Sequence, residues 1–290
     1  MTWTVLGAPL NSAGTPDGET RMPAALRAAG LVGALSALDE GDIQGRIDDT
    51  RRDPETGIIG FADLRRASAE LRERLDVLLA DGRRPLVLGG DCSPLLGIFA
   101  ALQRYRRRPG LWFVDGHLDA YDGATSPTGE AADMELRILL GDGPKGLVDL
   151  GDWVPLIEAA DVLALGHRHP DDSDSVDEVD LIDARVERLD ARALRDLGPS
   201  AVAERALALA DRTDAVWLHL DLDVLDEEAL PAVSYRQPGG LDWDELERLL
   251  RPLTSHPRLV GASIADLNPD RDASGRHAAQ VVRLLADTLA

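Results

Sequence analysis

The chain has 290 residues, 44% of them hydrophobic, a single cysteine and a formal net charge of −21. That hydrophobic share excludes a disordered chain, and the negative charge excludes nucleic acid and anionic membrane as partners, because their phosphates would repel it. One cysteine excludes an internal disulfide, and no apolar run approaches the roughly 18 residues of a membrane span; with no basic leader at the N-terminus, a cytoplasmic protein is expected.

Short apolar runs alternate with helical patterns along the sequence. VLGAP (5–9) leads to MPAALRAAGLVGAL (22–35). The stretch 62–82 carries leucines at helical spacing and a closing glycine, so an amphipathic helix is predicted there. RPLVLGG (84–90), LWFVDGH (111–117), DVLALGH (161–167), DAVWLHLD (214–221) and RLVGASIADL (258–267) read as strands, with helices at 200–212, 243–253 and 276–289 between and after them. Strands alternating with helices predict an α/β fold: a central, mostly parallel sheet between two helical layers, in one domain spanning 1–290. In such sheets function collects beyond the carboxyl ends of the strands. The acidic run 171–180 reads as a solvated loop whose first residues rim that end.

Metal-type side chains follow two of these strands directly. LWFVDGHLDAYD ends in Asp115, His117 and Asp119, and AVWLHLDLDVLD ends in Asp221 and Asp223. Alternate strand residues point to one side, so each set projects together. In a chain with 52 acidic residues an Asp-x-Asp pair in a loop means little. Ionisable groups at the mouth of a buried sheet are different, because they are costly unless compensated. Carboxylates with one imidazole suit Mn²⁺ or another fairly hard ion.

GGDCS, DGHLDAYD and HLDLDVLD, in that order, resemble the three metal motifs of the ureohydrolase (arginase/agmatinase) family, whose usual forms are GGDHS, DAHxD and S-F-D-x-D-x-x-D-P. GGLDWDE (239–245) is similar to the family's GGLT-x-x-E and ADLNP (265–269) to its E-x-N-P, while LGHRHPDD (165–172) is a looser match to a substrate-contacting segment that includes Asp171. The resemblance implies an arginase/deacetylase-like α/β/α fold, two Mn²⁺ ions and a homo-oligomer. It makes Asp115 and Asp221 the bridging ligands, Asp119 a ligand of one ion, and His117 and Asp223 ligands of the other. A hydroxide between the ions would attack the carbon of a guanidino substrate to release urea and an amine. Asp119 would accept a proton, and Glu245 would hold the guanidinium.

Three departures qualify this expectation. Cys92 stands where the family places a histidine ligand. It has three readings: a thiolate ligand favouring Zn²⁺, a neutral thiol leaving a one-metal protein, or a small buried hydrophobe. A nucleophilic cysteine is disfavoured, since no neighbouring pattern supplies a base. Ala132 stands where the family's S-G-N-x-H-G loop places a proton-shuttling histidine; His167 or His169 is the expected substitute. Tyr121, Thr128 and Glu130 match positions that bind an α-carboxylate in arginases. A glutamate there repels a carboxylate, so a guanidino or N-hydroxyguanidino compound other than plain L-arginine is expected. The alternative is a catalytically silent member with an assembly or regulatory role.

Overall fold

A computed structural model of the chain describes residues 2–169 and 177–289. Its strands are β1 (Trp3–Ala8), β2 (Leu38–Asp42), β3 (Arg84–Gly89), β4 (Pro109–Val114), β5 (Val162–Leu165), β6 (Glu187–Leu189), β7 (Ala215–Asp221) and β8 (Leu259–Ala265). They form one sheet in the order β2-β1-β3-β8-β7-β4-β5-β6, and every neighbouring pair is parallel. The helices are α1 (Met22–Ala28), α2 (Leu31–Ala34), α3 (Phe61–Ala80), α4 (Leu95–Tyr105), α5 (Glu135–Leu139), α6 (Ala191–Leu197), α7 (Pro199–Arg212), α8 (Trp243–Thr254) and α9 (Arg276–Leu289).

The predicted α/β/α layering is what the structure has. One core packs α1, α7, α8 and α9 against Trp112, Leu163 and Leu218 of the sheet. The other packs α3 and α4 against Val87, Leu111, Phe113 and Trp217. Central strands are buried on both sides, which is why they read as unbroken apolar runs rather than as alternating patterns. Helix α3 buries Leu64, Ala67, Leu71, Leu75 and Leu78, the stripe its leucine spacing predicts.

Several elements depart from the sequence reading. Strand β2, LDEGD, is an exposed edge, and β6 is a three-residue edge strand, so neither carries an apolar signature. Helix α4 is buried from Leu95 through Gln103, leaving no polar face to give it a period. The run 22–35 is not one helix: Gly30, at φ 94°, turns the chain left-handed and splits it into α1 and α2. Among the described residues no helix is long and apolar enough to cross a membrane.

The order of the sheet decides where chemistry collects. Strands β3, β8, β7 and β4 are consecutive in space, so the turns after all four open side by side at one end. Their close packing uses Gly261 of β8, where an added Cβ would lie 2.1 Å from the indole of Trp217. Gly261→Ala therefore overpacks the sheet centre and is expected to cost about 1–3 kcal/mol, read as a lower urea midpoint at unchanged slope. An unaltered midpoint would show that the indole can move aside.

Candidate metal centre

Each central strand ends by presenting a polar group to its neighbours. After β3 the chain turns through Gly90, where a Cβ would fall 1.7 Å from the Leu10 carbonyl oxygen, so only glycine fits. Asp91 then locks the turn, accepting from the Ser12 backbone N–H (2.5 Å), the Ser93 backbone N–H (3.1 Å) and both serine hydroxyls. This delivers Cys92 to the sheet end, 1% exposed. Its Sγ donates to Asp221 Oδ2 at 2.8 Å and lies 3.8 Å from Asp115 Oδ2.

The turns after β4 and β7 interlock. Asp115 accepts from the His117 N–H (2.7 Å), Asp221 from the Asp223 N–H (2.6 Å), and Asp223 from the Gly116 N–H (3.0 Å). His117 Nδ1 meets Asp223 Oδ2 at 2.9 Å, and its Nε2 meets Gln237. Asp119 has a left-handed backbone, φ 47°, held by Glu178, which accepts from the flanking N–H groups of Leu118 and Ala120 at 3.0 Å each. Asp266, after β8, is also left-handed at φ 66°. Non-glycine residues in this region cluster where surrounding structure fixes a functional side chain.

So many carboxyls in so little space raise one another. Burial first, and then the neighbouring carboxylates, hold Asp115, Asp119 and Asp266 well above the usual carboxylate range and bring Asp221 to about 7. Burial, joined by Asp221 and Asp115, raises the Cys92 thiol, so without a cation it stays protonated. Asp223 runs the other way: despite burial, His117 and Arg168 lower it to about 2. The same pairing outweighs burial at His117 and lifts it to about 9.

The donor set fits divalent cations. Ligand atoms of Asp115, His117 and Asp223 lie within 4.8 Å of one another, and so do those of Asp221, Asp223 and Asp266. Glu135 is fully buried, held well above the usual carboxylate range by burial with the Asp119 carboxyl as its hydrogen-bond neighbour, and it lies within 4.8 Å of Cys92, Asp115 and Asp119. Ionising such a buried carboxyl costs several kcal/mol. A bound cation would offset that cost.

A cavity of about 300 Å³ opens above this cluster. Asp115, His117, Asp119, Asp221 and Asp223 all line it, as do Thr128 and Glu130. Three expectations need correction. Glu245 is not in the cavity: it closes a capping box on α8 with Asp242 and pairs with Arg195 at 2.9 Å, on a separate cleft. The carboxylate facing the cavity from that side is Asp266. Neither His167 nor His169 lines the cavity; His167 is buried and His169 pairs with Asp177 and Asp190. Asp171 lies outside the described residues.

The sequence reading also missed partners. His219 is buried with Nε2 3.2 Å from Cys92 Sγ, so the base thought absent beside the cysteine is present. Its signal was the first position of HLDLDVLD, where the family form has serine. Gly116 replaces the alanine of DAHxD, and the guanidinium of Arg168 takes that space, 2.3 Å from where a Cβ would be. Glu135 and Glu178 follow no strand, so no spacing marks them.

The arginase family model matches residues 1–290. The chain belongs to the arginase family. It is similar to the arginase of Bacillus caldovelox, 30% identical over 292 residues covering 97% of this chain and 96% of the relative. The crystal structure of B. caldovelox arginase superposes with a TM-score of 0.90 at 28% identity, covering 99% of this chain and 98% of that one. Formimidoylglutamase from Bacillus subtilis shares the fold at a TM-score of 0.79 and 22% identity, over 100% of this chain and 86% of its own.

Divalent ions should therefore govern stability. Raised carboxyls stabilise the metal-free fold below their unfolded pKa of about 4 and lose that contribution as pH climbs through the raised values. His117, raised to about 9, acts in the same direction. His167 and His219, lowered to about 4 and about 3, contribute fully above 6.5 and do not oppose the trend there. Metal-free protein should thus lose stability between pH 6.5 and 9. Restoring an ion at a hundred times its Kd adds about 2.7 kcal/mol, and at about 2–4 °C per kcal/mol this raises Tm by roughly 5 °C or more. A metal-free Tm that is flat across this range and unmoved by ions would count against the centre.

Proposed function

We propose that this chain is a metal-dependent amidinohydrolase, cleaving a guanidino compound to urea and an amine, or an N-hydroxyguanidino compound to hydroxyurea and an amine. The carrying observation is the cavity itself: it is floored by Asp115, Asp119, Asp221 and Asp223, faces Asp266, and has no lysine or arginine among its described lining residues. Such a wall suits a planar cation. Two divalent ions, with Mn²⁺ suited to the oxygen- and nitrogen-rich half, would be held by these aspartates with His117 and Cys92, and would lower the pKa of a water for attack on the guanidinium carbon.

The chain's own residues divide the remaining work. Asp266, rather than Glu245, accepts hydrogen bonds from the guanidinium and fixes its carbon over the floor. Asp119 accepts a proton on the same floor. Ala132 cannot return one to the leaving amine. Glu130, two residues earlier on the same cavity wall, is brought to about 7 by burial, against the hydrogen bond from Tyr235. A carboxyl titrating near neutrality is suited to donate that proton.

The titration of Glu130 also weakens the case against L-arginine. At neutral pH it carries only part of a negative charge, so it repels an α-carboxylate less than sequence suggests. The relatives named as arginases give no support to excluding arginine. A second reading, a catalytically silent family member, is favoured by Ala132 alone.

Urea release should be measured with L-arginine and agmatine, and hydroxyurea release with N-hydroxy-L-arginine, after loading with Mn²⁺ and Zn²⁺. Asp266→Asn should cut kcat/KM about 10- to 100-fold, as expected for a lost hydrogen bond to a charged group worth about 1.5–3 kcal/mol, while Glu245→Gln stays near wild type. The reverse pattern would reinstate Glu245. Neither urea nor hydroxyurea from any of these compounds, with ions bound, would favour the silent reading.

The proton role makes a separate prediction. Glu130 holds its proton below about 7 and loses it above, so kcat should fall as pH rises through 7. Glu130→Gln should lower kcat by about 10²-fold and remove that limb. A pH profile unchanged by the substitution would assign the proton to another group.

A further inference from the structure

The half of the centre nearest β3 has a donor set unlike the rest, because two soft ligands converge there from different strands. Cys92 Sγ and His219 Nε2 are 3.2 Å apart. The sulfur is 2.8 Å from Asp221 Oδ2 and 3.8 Å from Asp115 Oδ2, and Nε2 is 4.0 Å from Asp115 Oδ2. Around a tetrahedral ion with bonds of about 2.0–2.3 Å, neighbouring donors sit roughly 3.3–3.7 Å apart. These four atoms already bracket that spacing, and all four residues are buried.

We propose that Cys92, His219, Asp115 and Asp221 form a tetrahedral site that takes Zn²⁺ in preference to Mn²⁺, with His219 supplying the imidazole that position 92 lacks. This extends the metal centre assumed in the proposed function to a ligand that stands two strands away from the cysteine motif.

The surroundings of His219 prepare it for this task. Its ring stacks on Phe113 with centroids 5.3 Å apart, and its Nδ1 lies 2.8 Å from Ser263 Oγ. The same hydroxyl receives the Trp217 indole N–H at 3.0 Å. A hydroxyl has two lone pairs, so Ser263 can accept from both rings; in that tautomer the proton sits on Nδ1 and the Nε2 lone pair turns toward the sulfur. Ligating histidines are oriented in this manner.

A second observation independently asks for a cation at this point. Glu135 is fully buried, its hydrogen-bond neighbour is another buried carboxyl, Asp119, and it lies within 4.8 Å of Cys92 and Asp115. Ion binding also balances in protons: the sulfur–metal bond forms as the thiol proton leaves to solvent. Thiolate and imidazole favour Zn²⁺ or Co²⁺, whereas carboxylate-rich sites suit Mn²⁺. The competing use of the pair, cysteine as nucleophile with histidine as base, is opposed by position. Asp115 and Asp221 line the cavity, and Cys92 and His219 do not.

The test uses the full chain, stripped of metal and given one equivalent of Zn²⁺. X-ray absorption should show one sulfur near 2.3 Å and one imidazole nitrogen near 2.0–2.1 Å, and Co²⁺ should give a near-ultraviolet thiolate charge-transfer band. His219→Ala should weaken Zn²⁺ binding more than about tenfold, and Cys92→Ser should remove the band. Ser263→Ala leaves both ligands in place and covers the case in which His219→Ala does not fold; it should weaken Zn²⁺ severalfold while keeping the band. Zinc without a sulfur neighbour, or a folded His219→Ala with unchanged Zn²⁺ affinity, would overturn the proposal. So would a sulfur-bound zinc with no imidazole neighbour. The function is scored separately: sulfur-bound zinc without release of urea or hydroxyurea would fail that reading alone, and such release without sulfur-bound metal would fail this one alone.

Discussion

Mutual repulsion among buried carboxylates is the constraint on which this structure turns. Asp115, Asp119, Asp221, Asp223 and Glu135 are all buried at one end of the sheet, and Asp266 closes the group with a strained backbone. Among the described residues, His117 and Arg168 bring positive charge to that cluster, and both lower Asp223. Such an arrangement is costly in water-free surroundings unless positive charge is supplied. Strand order explains why it exists at all. With β3, β8, β7 and β4 consecutive, a polar residue at the end of each strand cannot avoid those of the others. A fold that brings four such ends together makes a cation site out of residues that would be ordinary loop acids elsewhere.

What the sequence revealed follows from how each residue is attached. Asp115, His117, Asp119, Asp221 and Asp223 extend buried strands, so apolar run and ligand spacing are written in one continuous segment, and the structure gathers all five around one cavity. The central strands were legible for the same reason. Edge strands β2 and β6 were not, because an edge need not be apolar. Glu245 shows the opposite failure. Three residues after Asp242, it fits a capping box as well as it fits a substrate contact, and sequence context cannot separate the two. Asp266 was within a quoted motif, but its importance depends on a left-handed turn that aims it into the cavity.

His219 and Glu135 were invisible for a deeper reason. Sequence shows what replaces a residue at its own position, whereas compensation in a parallel sheet can come from any strand that ends nearby. Position 92 lies beyond β3, and His219 lies within β7, with β8 between them. The register of β7 on β8 pairs His219 with Ser263, so the strand that separates the two ligands also orients one of them. The ring at 219 meets the sulfur at 3.2 Å, and neither residue lines the cavity.

That geometry bears on the two departures jointly. Losing an imidazole at position 92 without compensation would leave a thiol facing Asp221, Asp115 and Glu135, a set with excess negative charge and no strong neutral donor. With His219 beneath it, the same pocket becomes a mixed sulfur, nitrogen and oxygen site, and the loss at 92 becomes a change of ion preference. The shuttle position follows similar logic. Ala132 opens the cavity wall beside Glu130 and Asp133, two carboxyls that burial brings to about 7 and about 6. Groups able to exchange protons near neutrality thus remain on the wall that lost its histidine. In both places the proposed chemistry rests on a neighbouring residue, which is what one expects when the fold fixes the position of a reaction and leaves open which side chain serves it.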